Sequence, residues 1–203
     1  LHWATQLAGI VVTPINWRAN AEEVEFFAQN ADARAVVFEP VSADAVNGSA
    51  VIAALPRIAV GAPGAGTVDF DTLLAHEPAN DTPRGIADDV SLMLFTSGTT
   101  GRGKGVPRHH RAERAAAVAP VAQNAYRQGE VTLGVMPLYH TMGVRSLLAM
   151  AVINGKFVCL PRFDAERALK LIDAERVTNL YLVPTLYHDL LAHSSFAATD
   201  ISS

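Results

Sequence analysis

Short, almost purely apolar runs rich in Val, Ile, Leu and Phe alternate along this chain with stretches of helical periodicity, and that alternation limits the folds open to it. The runs are Gly9–Val12, Ala35–Phe38, Ile58–Val60, Leu92–Thr96, Val131–Met136, Phe157–Leu160 and Asn179–Val183. Each has strand length and little polar alternation, the pattern of strands buried on both faces. Between them, Ala21–Asn30 carries Val24, Phe26 and Phe27 on one side. Asp164 stands where it can cap a helix running to Glu175, with Ala165, Ala168, Leu169 and Ile172 at helical spacing. Strands alternating with helices predict an α/β fold of largely parallel sheets joined by crossover helices.

The 203 residues, half of them hydrophobic, supply ample material for a core. A net charge of −4 lacks the basic excess of nucleic-acid binders, so no nucleic-acid partner is expected. A single cysteine, Cys159, excludes an intrachain disulfide and a cysteine metal cluster, and suits a reducing compartment. The apolar stretch Ser146–Leu160 is broken by Asn154, Gly155 and Lys156, short of the roughly 18 apolar residues of a membrane span. No secretory pattern is present. A cytoplasmic protein without a membrane span is expected. Residues 61–67, rich in Gly and Pro, and the polar residues 76–89 read as connections, the second a possible subdomain boundary. The text opens on Leu1 within an apolar, helix-like run, which predicts an incomplete chain.

The chemistry concentrates in Phe95-Thr96-Ser97-Gly98-Thr99-Thr100-Gly101-Arg102-Gly103-Lys104-Gly105, immediately after the run Leu92–Phe95. It therefore follows the carboxyl end of a predicted strand, where open α/β sheets bind ligands. Closely spaced glycines let the backbone turn and present successive amide protons, a nest that holds an anion without side chains. Thr96, Ser97, Thr99 and Thr100 add hydroxyls, and Lys104 adds a point charge; a polyphosphate is the natural guest. The alternative is a flexible linker of the same composition, but linkers seldom follow an apolar strand and seldom end in a lone lysine between glycines. The P-loop spacing G-x-x-x-x-G-K fits Gly98–Lys104, but Gly105 stands where magnesium needs Ser or Thr, and Pro107 obstructs the helix that should follow.

Thr96–Gly101 followed by Lys104-Gly105 resembles the signature loop of the adenylate-forming (AMP-binding) superfamily, which includes acyl- and aryl-CoA synthetases. One departure is Gly103, where the family usually has proline; glycine there predicts a more mobile loop and weaker phosphate handling. Met136-Pro137-Leu138-Tyr139-His140-Thr141-Met142-Gly143 is similar to the family segment between the acyl pocket and the CoA tunnel. By that resemblance His140 is the candidate gating residue, with Met142 and Gly143 beside it; the bland alternative is a histidine capping the following helix. Leu182-Val183-Pro184-Thr185 looks like the family's strand-to-helix junction, its leucines and Leu190–Leu191 reading as ordinary core. Gly9–Asn16, Arg18 and the helix from Ala21 resemble the upstream strand, turn and helix. The resemblance thus runs over nearly the whole chain, 1–203, as part of the large N-terminal domain.

The resemblance implies an acid–thiol ligase: ATP and a small carboxylic acid form an acyl-adenylate, and coenzyme A takes the acyl group. Thr96, Ser97, Gly98, Thr99, Thr100, Gly101 and Lys104 would hold the phosphates, with Mg2+ reached through Thr99 or Thr100. The family's adenine-binding stretch and its C-terminal lid domain with the catalytic lysine have no counterpart here, so the chain alone is expected to be inactive. Benzoate- or halobenzoate-type ligases are the nearest in pattern, with a fatty or alicyclic acid open. An adenylation domain that loads a carrier protein, and a nonenzymatic nucleotide-binding remnant, remain alternatives. The basic cluster of Arg102, Lys104, Arg108, His109, His110, Arg111 and Arg114 reads mostly as a solvated helix start; adjacent His109 and His110 do not make a metal site, and the cluster lacks the aromatics of a nucleic-acid patch.

Overall fold

The computed structural model of the protein describes residues 1–78, 81–96 and 103–203. The chain divides into two compact units, Leu1–Pro107 and Arg108–Ser203.

In the first unit, α1 (His2–Ala8) stops at Gly9, whose φ of 70° is the left-handed turn that returns its amide to the Gln6 carbonyl. Helix α2 (Ala21–Asn30) starts in a reciprocal capping box: the Asn20 side chain accepts from the Glu23 amide, and the Glu23 carboxylate accepts from the Asn20 amide. Such a cap contributes about 1 kcal/mol. Then follow β1 (Val36–Phe38), α3 (Ala43–Asn47), α4 (Ala50–Ala53), β2 (Arg57–Ala59), β3 (Val68–Asp69) and α5 (Phe70–Leu74). The three strands pair in the order β1-β2-β3, all parallel, with Val37 opposite Ile58 and Ile58 opposite Val68. Ala19, Val24, Val46 and Ile52 form the core of this region, with Phe27, Val36 and Phe38 packed on it. Strands β4 (Val90–Thr96) and β5 (Lys104–His109) make a second, two-stranded sheet.

Two expectations of the first unit change. The run Gly9–Val12 contributes one isolated parallel bridge, Val12 to Leu92, instead of a strand. Ile10 and Val11 are exposed, and Pro14 has no amide proton with which to extend the ladder. Conversely, residues 104–109 are a strand, and the helix begins only at His110. Pro107 sits at an exposed position of that strand, the kind of site a sheet leaves to proline.

The second unit runs α6 (His110–Gln123), β6 (Val131–Gly134), α7 (Thr141–Val152), β7 (Lys156–Cys159), α8 (Ala165–Glu175), β8 (Asn179–Leu180) and α9 (Pro184–Ala192). Its sheet has the order β7-β6-β8, all parallel, with Thr132 opposite both Phe157 and Asn179. Asp164 caps α8 by accepting from the Arg167 amide at 2.8 Å, and Ala168, Leu169 and Ile172 are its buried face. They join Leu133, Val158, Leu160, Val177, Leu182 and Leu190 in one core, where each fully buried large aliphatic side chain contributes about 1.5–3 kcal/mol. Because β6 and β8 are parallel neighbours, their carboxyl ends open at the same sheet edge. The chain leaves that edge through residues 135–140 and 181–183. This is the edge at which open α/β sheets bind ligands. No helix among the described residues is long and apolar enough to cross a membrane.

Candidate functional site

Thr96 is the exposed last residue of β4 and Lys104 the exposed first residue of β5. The proposed phosphate-holding residues between them, Ser97, Gly98, Thr99, Thr100 and Gly101, lie outside the described residues. What the first unit does show is how the two ends of that segment are anchored. Strand β4 buries Ser91, Leu92 and Leu94. The Ser91 carbonyl accepts from the Val12 amide at 3.1 Å and from Gln6 Nε2 at 3.1 Å. At the carboxyl end, the Phe95 ring lies 4.5 Å from Phe27 and 6.2 Å from Phe26, centroid to centroid, both from α2. Aromatic pairs in this range add about 0.5–1.5 kcal/mol beyond the area they bury.

Glycine at 103 and 105 has a steric reason. A Cβ at Gly103 would stand 2.8 Å from the Thr96 carbonyl oxygen, and one at Gly105 would stand 2.9 Å from both Met93 Sδ and Asn30 Oδ1. The close approach at Gly103 is thus a packing requirement, where the sequence alone suggested only a looser loop. The Lys104 side chain makes no ion pair or hydrogen bond among the described residues, so its ammonium is available to an anion.

In the second unit, His140 is the N-cap residue of α7, with extended φ and ψ of −114° and 146°. Its imidazole makes no capping hydrogen bond; it is exposed, with its ring 4.6 Å from that of Tyr139. Position alone therefore makes it a cap, and the side chain is left for other work. Its amide donates to the Pro137 carbonyl at 3.0 Å and its carbonyl accepts from the Val144 amide at 3.2 Å. Met142 is exposed beside it, whereas Gly143 is buried. A Cβ at Gly143 would fall 2.2 Å from the Pro137 carbonyl oxygen and 2.4 Å from that of Met136, so glycine lets α7 start against the turn it follows. Leu182 and Leu190 are core, as their pattern indicates, whereas Leu191, also read as core, is exposed on α9, and Pro184 occupies the first turn of that helix.

One arrangement was not legible in the sequence. Arg108 and Glu113, within a cluster that reads as a solvated helix start, form a buried ion pair between Arg108 Nε and Glu113 Oε1. Arg108 Nη1 also donates to Thr141 Oγ1 at 3.2 Å, at the first residue of α7. Burial pushes the Glu113 carboxyl above its ordinary range, against the pull of the Arg108 and Arg145 guanidiniums. Arg108 and Glu113 are close in sequence, on the end of β5 and the first turn of α6, but nothing local announces that the pair is buried or that Arg108 also reaches Thr141 on α7. A separate apolar cavity of about 320 Å³, lined by Leu169, Ile172, Tyr187 and Leu190 among others, includes none of the candidate site residues.

Comparison with known proteins bears on the family and the fold. A family described as AMP-binding enzyme matches residues 1–203. The feruloyl-CoA synthase of Amycolatopsis sp is 30% identical over 197 residues, covering 97% of this chain and 38% of that protein. The 4-chlorobenzoate–CoA ligase of Pseudomonas sp. (strain CBS-3) is 40% identical over 101 residues, 48% of this chain and 19% of that protein. The chain thus spans well under half the length of these curated relatives. The solved N-terminal domain of FACL13 from Mycobacterium tuberculosis superposes with a TM-score of 0.83 at 26% identity, covering 99% of this chain and 50% of that one.

Proposed function

The chain belongs to the AMP-binding enzymes, and on that premise we propose that its protein activates a carboxylic acid with ATP and passes the acyl group to the thiol of coenzyme A. The observation that carries this reading is the family match over residues 1–203, joined to an exposed Lys104, its side chain without a partner among the described residues, that closes a Gly- and Thr-rich stretch of sequence after an apolar strand. In the proposed reaction a carboxylate oxygen attacks the α-phosphorus of ATP, and pyrophosphate leaves as the acyl-adenylate forms. The thiol then attacks the acyl carbon and AMP leaves. The first step brings two anions together, so the protein's contribution is alignment and neutralisation.

Thr96 and Lys104, with the intervening Ser97, Gly98, Thr99, Thr100 and Gly101, would hold the β- and γ-phosphates through hydroxyls, amides and one ammonium. A unit charge at 4 Å and an effective dielectric near 20 contributes roughly 4 kcal/mol. Mg2+ would share the phosphate charge when bound; its candidate ligands Thr99 and Thr100 lie outside the described residues. His140, exposed and without a capping bond, would meet the acid or the thiol, with Met142 beside it. We assign an aromatic acid as the substrate class, supported by the feruloyl- and 4-chlorobenzoate-activating relatives. The cytoplasm is the compartment we assign, supported by the lone Cys159.

The test is ATP–pyrophosphate exchange by the full-length protein with a panel of aromatic, fatty and alicyclic acids. Exchange dependent on an aromatic acid is expected, and Lys104→Ala should lower kcat/KM for ATP at least tenfold with the circular dichroism unchanged. Exchange that no acid stimulates would reduce the protein to a nucleotide binder. Transfer to a carrier-protein thiol in preference to free coenzyme A would redirect the second half-reaction.

A further inference from the structure

The aim of the His140 side chain depends on the backbone of the first turn of α7, because the imidazole itself makes no capping bond and its ring contact is with the adjacent Tyr139. That turn is held from two directions. On one side Gly143 packs against the carbonyls of Met136 and Pro137. On the other, Thr141, the residue after His140, accepts a hydrogen bond from Arg108. Arg108 is itself fixed by its ion pair with Glu113, the two side chains being 15% and 8% exposed.

This is a costly way to tie down a helix. Both carboxylate oxygens of Glu113 are buried, and Oε2 accepts no hydrogen bond among the described residues. A buried, incompletely satisfied carboxylate costs free energy that its cation only partly returns, so such pairs are weak sources of stability. What a buried pair of this kind can supply is registry: it fixes one arrangement of the elements it joins. Here those elements are the end of β5, the first turn of α6 and the first turn of α7.

We propose that Arg108, Glu113 and Thr141 form a positioning clamp that sets the first turn of α7, and through it the His140 imidazole, for the carboxylic acid and thiol. The proposal rests on the ligase reading above for the identity of what His140 meets. Arg108 and Thr141 act through His140 and are positioning residues.

The test uses Thr141→Val, which keeps the shape of the side chain and removes the acceptor, and Thr141→Ser, which keeps the acceptor. Thr141 is exposed, so neither substitution threatens the core. In the 203-residue chain, amide exchange at Val144, which donates to the His140 carbonyl, should quicken about fivefold in Thr141→Val, the effect of one hydrogen bond. It should return to the original rate in Thr141→Ser, with exchange at Met150 in mid-helix constant in both. The His140 ring resonances should shift in Thr141→Val alone. In the full-length protein the KM for the acid should rise several-fold in Thr141→Val, with KM for ATP unchanged. Unaltered Val144 exchange and unaltered His140 resonances would overturn the clamp, and so would an unaltered acid KM in an active enzyme. A full-length protein inactive with every acid would instead sink the ligase reading, while the exchange rates would still decide the clamp.

Discussion

Replacing Gly143 with alanine isolates the close approach on which the start of α7 depends. In most helices this change is favourable, because alanine exceeds glycine in helix propensity by about 1 kcal/mol. Here the added methyl would stand 2.2 Å from the Pro137 carbonyl oxygen, 2.4 Å from the Met136 carbonyl oxygen and 2.6 Å from the Pro137 carbonyl carbon. Those distances are about 1 Å short of the roughly 3.3 Å at which carbon and carbonyl oxygen make contact. All three atoms are backbone, so no rotamer change relieves the overlap; the turn or the helix must move. Overpacking of this kind costs about 1–3 kcal/mol, and with no side chain to yield the upper end applies. After the propensity gain, the net loss is about 2 kcal/mol. With a urea slope near 2 kcal/mol per molar, the midpoint of the transition reporting on the second unit should fall by about 1 M. Gly64→Ala is the control, because a Cβ there meets nothing within 4 Å and φ is not positive; it should be neutral or stabilise by up to about 1 kcal/mol. A Gly143→Ala chain as stable as the parent would refute the packing argument and leave Gly143 needing another explanation.

His140→Ala should leave the unfolding free energy within about 0.5 kcal/mol of the parent, since an exposed imidazole without a capping bond contributes little to folding. In the full-length protein it should raise KM for the acid or for coenzyme A. A stability loss above 1 kcal/mol with unchanged kinetics would return His140 to a capping role. The Asp200 carboxyl is held down to about 2, first by hydrogen bonds from Ser202 and then by Arg176. Its contribution is fully present above its ordinary 3.8 and is lost as pH falls through about 2. Glu113 has the opposite sign: with its folded value raised by burial, its contribution is fully present below 4.5 and is lost as pH rises through the raised value. A carboxyl titration followed by NMR checks both, and a midpoint for Asp200 near 4 or for Glu113 below 4.5 would contradict the respective environment.

What the sequence determined by itself is what local interactions settle. Helices α2 and α8 run from Ala21 to Asn30 and from Ala165 to Glu175 as their patterns indicate, because a capping side chain bonds an amide three residues away and the apolar stripe recurs within two turns. Strands β1, β4, β6 and β7 fall on the apolar runs, most deeply in β4 and β6, which bury Leu92, Leu94 and Leu133. The family was indicated by the string Thr96–Gly101 followed by Lys104-Gly105. Three features were decided only by tertiary structure. Val12 alone of its apolar run pairs, with Leu92, because a bridge needs a distant partner as well as an apolar side chain. Residues 104–109 form a strand despite Pro107 and their basic character, because they pair with β4 and an exposed position tolerates proline. Arg108 leaves a cluster of exposed bases for a buried carboxylate and the hydroxyl of Thr141, 33 residues away. The bond to Thr141 depends on where α7 starts in space, which no spacing along the chain records.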